Sequence, residues 1–164
     1  MPAYSWYALS VLVLVYVLNF VDRQILSILM ESIKTEIQLS DTELGFLGGI
    51  AFALFYTFAG IPIARWADRG NRRNIIAAAL AIWSVMTVAS GMARGFLTLM
   101  AARIGVGVGE AGCTPPAHSL ISDYFPAERR ATALSTYALG VPMGTLLGLA
   151  FGGFLADQVG WRMA

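Results

Sequence analysis

The sequence contains few of the residues that build metal sites, disulfides or nucleic-acid surfaces. Its 164 residues include one cysteine, Cys113, and one histidine, His118. An internal disulfide and a cysteine metal cluster are therefore excluded, and a zinc or haem site is disfavoured. Charged residues make up 13% of the chain and the net charge is +1, whereas soluble domains carry roughly a quarter charged residues. We expect no metal, no cofactor and no nucleic-acid partner.

Hydrophobic residues dominate instead, at 57% of the chain, and the mean hydropathy is +0.67. A helix that crosses the bilayer needs about 20 mostly apolar residues. Five segments meet this requirement, at about 4–30, 44–67, 74–93, 96–124 and 131–156, and a sixth begins at about residue 160. The first apolar run is too long for a cleaved signal peptide, so we expect it to be retained. The sequence predicts an all-α protein in the lipid bilayer, with five complete spans and the start of a sixth.

The distribution of basic residues predicts the orientation of these spans. The links after the second and fourth spans contain six arginines: Arg65, Arg69, Arg72, Arg73, Arg129 and Arg130. The opposite side has three basic residues, Lys34, Arg94 and Arg162. Basic residues near span ends favour the cytoplasmic side. We therefore expect the N-terminus in the cytoplasm of a multi-pass cell-membrane protein, and the short loops favour a bacterial inner membrane.

Four charged residues interrupt the apolar spans. Asp22 and Arg23 lie in the first span, and Arg103 and Glu110 lie in the fourth. Each charge in hydrocarbon costs about 3 kcal/mol on insertion scales. Seven residues along a helix put Arg103 and Glu110 on one face, about 10 Å apart. Because the first span runs in the opposite direction, all four charges are expected to line one polar cavity between spans one and four.

The residue types in this cavity predict anion binding and proton coupling. The guanidinium fork suits a phosphate or a carboxylate, so we expect Arg103, Arg23 and Asn19 to bind substrate. On this interpretation Arg103→Ala loses the substrate while leaving the fold largely intact. Desolvation favours a neutral carboxyl and a nearby arginine favours a charged one, which makes Glu110 and Asp22 the expected proton-coupling residues. The alternatives are purely structural ion pairs, or an Arg23 that extends to the outer interface. Adjacent helix residues point about 100° apart, so Asp22 and Arg23 cannot reach the same spot.

Glycines are concentrated in the two spans that follow. The fifth span repeats glycine at every fourth position: Gly140, Gly144, Gly148 and Gly152. Such a face allows two helix backbones to approach closely in lipid. Four further glycines surround the charges of the fourth span: Gly105, Gly107, Gly109 and Gly112. These either leave volume for a substrate or permit close packing.

The link after the second span carries a family resemblance. It reads Ala64-Arg65-Trp66-Ala67-Asp68-Arg69-Gly70-Asn71-Arg72-Arg73. This resembles the cytoplasmic signature of the major facilitator superfamily, with Ala64 and Asn71 in place of two of its glycines. In that superfamily the Asp and Arg pair with an acid at the cytoplasmic end of span four. Asp123 matches that position, so the resemblance implies a cytoplasmic gate made of Asp68, Arg72 and Asp123.

Further motifs narrow the resemblance. The fourth-span stretch 103–111, the first-span stretch 19–23 and the fifth-span stretch 140–144 are together similar to the Spinster branch, which exports sphingolipids and lysophospholipids. The anion:cation symporters, which carry organic acids and phosphate, have similar motifs in spans one and four. Asn71 favours Spinster, because those symporters usually have glycine there. Val141 separates Gly140 from Pro142, which argues against the multidrug exporters.

The resemblance implies the N-terminal six-helix half of a twelve-helix major facilitator fold, with the C-terminal half absent from this chain. It implies a proton-coupled secondary active transporter of an amphipathic anionic lipid, a sphingolipid or a lysophospholipid, that works by alternating access. One alternative is an organic-anion/proton symporter of the anion:cation type. Another is a non-transporting membrane scaffold or partner-binding half. No nucleophile–base pair is found, so we predict no catalytic residue and no enzyme activity.

Overall fold

Five long helices make up almost all of the computed structural model, which describes residues 3–163. By length and composition each helix is able to cross a membrane. The helices, here named α1 to α5 in chain order, are Ala3–Ile37, Asp41–Arg69, Arg72–Gly91, Phe96–Tyr124 and Ala127–Val159. The prediction of an all-helical membrane protein with five spans is confirmed.

The ends of the helices differ from the predicted spans by several residues. Helix α1 continues to Ile37 and stops where Gln38 adopts a left-handed φ of 59°. Helix α2 begins three residues later behind a capping box, in which Ser40 Oγ accepts from the backbone N–H of Glu43 and the Glu43 carboxylate accepts from the Ser40 N–H. Such reciprocal bonds satisfy two of the free N–H groups at a helix start. The expected beginning of a sixth span falls at a turn, where Gly160 has a φ of 77°.

Two helices are interrupted where proline makes regular hydrogen bonding impossible. Helix α4 breaks at Gly112–Cys113, so Pro115 and Pro116 lie in the first turn of the segment that follows. Helix α5 breaks at Leu139, three residues before Pro142. Proline lacks the N–H group and clashes with the carbonyl four residues earlier, which places each break just before its proline. Helix α2 instead contains a π-helical turn at Phe46–Ile50.

The glycine repeat of α5 packs directly on α1. All four glycines of the repeat are buried. A Cβ atom added to Gly144 would lie 2.6 Å from Phe20 Cβ, and one added to Gly148 would lie 2.7 Å from Gln24 Cβ. These positions leave no room for any side chain. The expected close approach of two helices at this face is confirmed.

Helix α4 lies between α2 and α3, and its glycines permit this packing. A Cβ on Gly109 would lie 2.7 Å from the backbone nitrogen of Trp83 in α3, and one on Gly105 would lie 2.5 Å from Met86 Cγ. Gly107 instead faces Phe52 of α2. Of the two interpretations given by the sequence, the structure therefore supports close packing rather than space for a substrate.

Two apolar clusters flank the charged residues along the bundle. One contains Leu12 and Ile121, and the other contains Leu29 and Leu99. Asp22 and Arg23 lie between Leu12 and Leu29 along α1, and Arg103 and Glu110 lie between Leu99 and Ile121 along α4. The four charges thus lie between two apolar clusters, in the middle of the helices.

Candidate functional site

The four charged residues of α1 and α4 form two ion pairs. Arg23 Nε donates to Glu110 Oε2 at 2.7 Å, and Arg103 Nη1 donates to Asp22 Oδ2 at 3.5 Å. Neighbours on a helix diverge by about 100°, so Asp22 and Arg23 engage different partners, as the sequence predicts. Arg23 lies within a helix pair and does not extend to the outer interface.

The two pairs differ in their exposure. Glu110 is fully buried at 0% exposure and Arg103 is 4% exposed, whereas the side chains of Asp22 and Arg23 are 14% and 27% exposed. Asn19, the third predicted substrate residue, is buried one helical turn before Arg23. Arg23 is consequently the cation of the site that a solute reaches most easily.

The pairing leaves polar atoms unused. Glu110 Oε1 and Arg103 Nε are buried without a hydrogen-bond partner among residues 3–163. Arg23 engages Glu110 through Nε, and its two terminal amino groups make no hydrogen bond within the same part of the chain. Buried polar atoms in proteins are nearly always paired. The two buried atoms, Glu110 Oε1 and Arg103 Nε, are exceptions to this rule within the described residues.

Aromatic rings surround the arginine of the more exposed pair. The guanidinium carbon of Arg23 lies 4.9 Å from the ring centre of Phe52, 5.0 Å from that of Tyr56 and 5.1 Å from that of Phe20. The guanidinium carbon of Arg103 lies 5.6 Å from the same Phe52 ring. Cations within about 6 Å of an aromatic ring centre are attracted to its face. Phe52 thus contacts both cations of the site.

Sequence reasoning missed these rings. Phe52 and Tyr56 are four residues apart, which puts them on one face of α2, and this spacing was the available signal. In an apolar span, however, aromatic residues at helical spacing also face lipid or a neighbouring helix. Their contact with Arg23 depends on how α2 packs against α1 and α4, which the spacing does not specify.

The hollow next to the charges is small. A cavity of about 90 Å³ is lined by Asp22 and Arg103, together with Thr87 and Ser90 of α3 and with Trp161 and Arg162. A larger groove of about 360 Å³ lies between α1, α3 and α4 around Tyr7 and Leu80, and none of the four charges lines it. Of the four charged residues, Asp22 and Arg103 line the small hollow, whereas Arg23 and Glu110 do not.

Two of the three predicted gate residues form an ion pair. Arg72 Nη1 donates to Asp123 Oδ2 across the adjacent ends of α3 and α4. Asn71 caps α3 by accepting a 3.3 Å hydrogen bond from the Asn74 N–H, which fixes Arg72 in the first turn of that helix. Asp68 lies in the last turn of α2, is exposed and makes no salt bridge within residues 3–163. The expected three-residue cluster is a pair in the described part of the chain.

The opposite end of the bundle is closed by contacts that the sequence did not indicate. The Glu36 carboxylate accepts hydrogen bonds from Trp161 Nε1 at 2.5 Å and from Arg162 Nε at 2.8 Å. Arg162 Nη1 also donates to the backbone carbonyls of Gly91 and Ala93. The residues after α5 are thereby fixed against the ends of α1 and α3, beside the small hollow.

Residues 12–164 match the family model of the Major Facilitator Superfamily. The chain belongs to this superfamily. Its members are transporters and not enzymes. In the described part of the chain, 3–163, no group of three or more His, Cys, Asp or Glu residues could hold a metal ion.

The relatives that this chain matches are named for different transport functions. The chain is 40% identical to an MFS-type efflux pump of Mycolicibacterium smegmatis, and the match covers 99% of this chain and 38% of that protein. It is 30% identical to protein spinster homolog 1 of Homo sapiens, over 99% of this chain and 31% of that protein. It is also 30% identical to a probable L-galactonate transporter of Escherichia coli, over 94% of this chain and 34% of that protein.

Solved structures agree with this resemblance. A bacterial homolog of the human lysosomal transporter Spinster, in an inward-facing and occupied conformation, is 47% identical and superposes with a TM-score of 0.93. The match covers 99% of this chain and 35% of that one. The fold is therefore that of a major facilitator amino-terminal half, and the resemblance to Spinster is confirmed. The chain spans about a third of the length of the proteins it matches.

Proposed function

We propose that this chain is the amino-terminal half of a proton-coupled transporter that moves an amphipathic anion, a sphingolipid or a lysophospholipid, by alternating access. The observation that carries the proposal is the Arg23–Glu110 pair, in which a fully buried carboxylate competes with solutes for a partly exposed cation. The resemblance to Spinster homologs favours lipid as the substrate class.

Arg23 is the preferred anion-binding residue within this proposal. Its terminal amino groups are free, whereas Arg103 is 4% exposed and engaged with Asp22. A phosphate or carboxylate suits the two terminal amino groups of a guanidinium. Arg103 then has the second role of holding Asp22, and Asn19 lies one turn from Arg23 on the same face of α1.

Proton coupling follows from competition for Arg23. A charged Glu110 occupies the Nε edge of Arg23 and adds a negative charge that repels an incoming anion. A proton on Glu110 removes both effects, so that the proton and the anion bind together. Asp22 is held in the same way by Arg103 and is the second proton-coupling residue. The Arg72–Asp123 pair acts away from this site, as a gate between helix ends.

An organic-anion/proton symporter is the second candidate function. The relatives include a probable L-galactonate transporter and a hexuronate transporter, and a sugar acid carries the same carboxylate that suits Arg23. The exposed cation, Arg23, is surrounded by the rings of Phe20, Phe52 and Tyr56. These rings favour a substrate with an apolar tail over a polyhydroxylated one.

Transport by the full-length protein in proteoliposomes tests both candidates. Fluorescent lysophosphatidylglycerol and radiolabelled glucuronate are supplied separately, each with and without an imposed pH gradient. The proposal expects gradient-dependent movement of the lysophospholipid and little movement of the glucuronate. The reverse result supports the organic-anion candidate. Movement of neither contradicts that candidate and the lysophospholipid form of the proposal.

The proposed topology places the N-terminus and the Arg72–Asp123 end of the bundle in the cytoplasm of a bacterial inner membrane. Cys113 is the single cysteine of these 164 residues. In a Cys113→Ala background, the labelling of one introduced cysteine therefore shows on which side of the membrane that cysteine lies. We expect Thr42→Cys to react with an impermeant maleimide added outside and Glu128→Cys to remain protected. The proposal that this chain is the amino-terminal half of a transporter expects the reading frame to continue after residue 164 and to encode about six more spans. The gene sequence tests this expectation.

A further inference from the structure

The rings around Arg23 come from two helices and enclose one guanidinium. Phe20 belongs to α1, and Phe52 and Tyr56 belong to α2. All three ring centres lie between 4.9 and 5.1 Å from the Arg23 guanidinium carbon. Three aromatic faces around one cation are far more than chance burial of an arginine stem requires.

The terminal amino groups of Arg23 stay free while the rings surround its guanidinium. The guanidinium donates through Nε to Glu110, and both terminal amino groups lack a hydrogen bond within residues 3–163. A long side chain such as arginine loses rotamer freedom when it is fixed in one orientation, at a cost in entropy. The rings restrict that freedom without using any donor, so the hydrogen-bonding edge of the guanidinium stays available.

Phe52 has a further contact that couples it to α4. Its ring also lies 5.6 Å from the Arg103 guanidinium carbon. A Cβ atom added to Gly107 would lie 3.3 Å from Phe52 Cδ2. A side chain at Gly107 would therefore crowd the ring, whose centre lies 4.9 and 5.6 Å from the two guanidinium carbons.

We propose that Phe52 and Tyr56 are positioning residues, whose ring faces hold the Arg23 guanidinium with its Nε edge on Glu110 and its terminal amino groups free for the anionic group of the substrate. Phe52 is also the shared contact that links the two ion pairs. The substrate role rests on the proposed function, while the positioning of Arg23 does not. Loss of the Phe52 ring lets Arg23 leave this orientation, which weakens anion binding without altering the later transport steps.

Chemical labelling measures the position of Arg23 without requiring transport. The full-length protein is treated with phenylglyoxal, and the modification of Arg23 is followed by peptide mass spectrometry. We expect Phe52→Leu, which keeps apolar volume but removes the ring, to raise the labelling rate of Arg23 about fivefold. Phe52→Tyr and Tyr56→Phe keep the rings and should remain close to the parent rate. Phe58→Leu on the exposed face of the same helix is the matched control.

Transport kinetics provide the second measurement. Phe52→Leu should raise KM for fluorescent lysophosphatidylglycerol about fivefold and leave kcat near the parent value. Gly107→Ala moves the ring by crowding and should change KM in the same direction. The melting temperature of each variant shows whether it folds. If Phe52→Leu does not fold, Tyr56→Leu takes its place in both measurements.

The outcomes separate the two proposals. If Phe52→Leu and Tyr56→Leu label Arg23 at the parent rate, the positioning role is overturned even when the parent transports lysophospholipid. If labelling rises as expected but the parent moves no lysophospholipid, the positioning of Arg23 stands and the proposed transport function fails. A KM that rises equally in Phe58→Leu also overturns the role, because that ring does not contact the site.

Discussion

Arg23 donates a 2.7 Å hydrogen bond from Nε to Oε2 of Glu110, and the two residues differ sharply in burial, at 27% and 0% side-chain exposure. Glu110 is therefore shielded from solvent, whereas Arg23 is accessible to solutes. A proton that reaches Glu110 changes the charge balance at an arginine that a solute can touch. In the proposed function, this pair links protonation of Glu110 to anion binding at Arg23.

Glu110→Gln should remove the pH dependence of transport. The amide is isosteric with the carboxyl but cannot take up a proton, and the rings around Arg23 continue to hold the cation. In full-length protein in proteoliposomes, we expect the initial rate to vary by less than about twofold across the pH range in which the parent responds.

The control for this change is Glu31→Gln, an exposed carboxylate on the same helix as Arg23. Its pH profile should overlay that of the parent. A Glu110→Gln protein that keeps the parent profile would assign proton coupling to another group, with Asp22 the first to test.

Arg103→Ala should destabilise the protein, contrary to the expectation from sequence that the fold stays intact. Arg103 is buried and is the salt-bridge partner of Asp22, which is 14% exposed. Removing one member of a buried pair leaves an uncompensated charge and costs roughly 3 kcal/mol. A lower melting temperature of the purified full-length protein is the measurement.

The double variant Asp22→Asn with Arg103→Leu distinguishes charge from packing. With both charges removed, no buried charge is left without a partner, so we expect a melting temperature between those of the parent and Arg103→Ala. A double variant no more stable than Arg103→Ala would mean that an unpaired Asp22 charge is not the main cause of the destabilisation.

Gly148→Ala should disrupt the contact of α1 with α5. The added Cβ would lie 2.7 Å from Gln24 Cβ and 3.0 Å from the Val21 carbonyl oxygen. Backbone atoms cannot move aside as a flexible side chain can, so overpacking of about 2 kcal/mol is expected. Thermal unfolding of the full-length protein measures the loss.

Gly153→Ala is the matched control in the same helix, because a Cβ there has no neighbouring atom within 4 Å. It should be neutral or slightly stabilising, since alanine favours helix more than glycine does. Equal destabilisation by both substitutions would show that helix propensity, and not the contact with α1, sets the effect.

The lengths of the apolar segments and the charges within them predicted most of the fold. Spans of about 20 apolar residues specify helices in lipid, and the glycine repeat at 140–152 identified a close helix contact. The charges of α1 and α4 stood out because an isolated charge in hydrocarbon is so unfavourable. These signals are local, which is why single-sequence reasoning captured them.

The remaining features depend on packing between distant segments. The pairing of Arg23 with Glu110 and of Arg103 with Asp22 could not be chosen from spacing, because it depends on how α1 is rotated and shifted against α4. The rings of Phe52 and Tyr56 look like any other apolar residues of α2 until that helix is packed on its neighbours. The same holds for Glu36, whose partners Trp161 and Arg162 are 125 and 126 residues away.

Asp123→Asn should shift the balance between the inward-open and outward-open states of the full-length protein. The substitution removes the charge that holds Arg72, and this pair is partly exposed, with side-chain exposures of 26% and 59%. Exposed pairs contribute up to about 1 kcal/mol, so the populations should change by up to about fivefold. The labelling rate of Ala53→Cys in a Cys113→Ala background, from each side of the membrane, reports the change.

Asp68→Asn makes the same chemical change at the same end of the bundle, at a carboxylate that has no salt bridge within residues 3–163. We expect its labelling rates to match the parent, because no pair is broken in this half of the protein. An effect equal to that of Asp123→Asn would instead mean that Asp68 acquires a charged partner in another state or from outside these residues. The three-residue gate implied by the superfamily signature would then describe the protein better than the two-residue pair does.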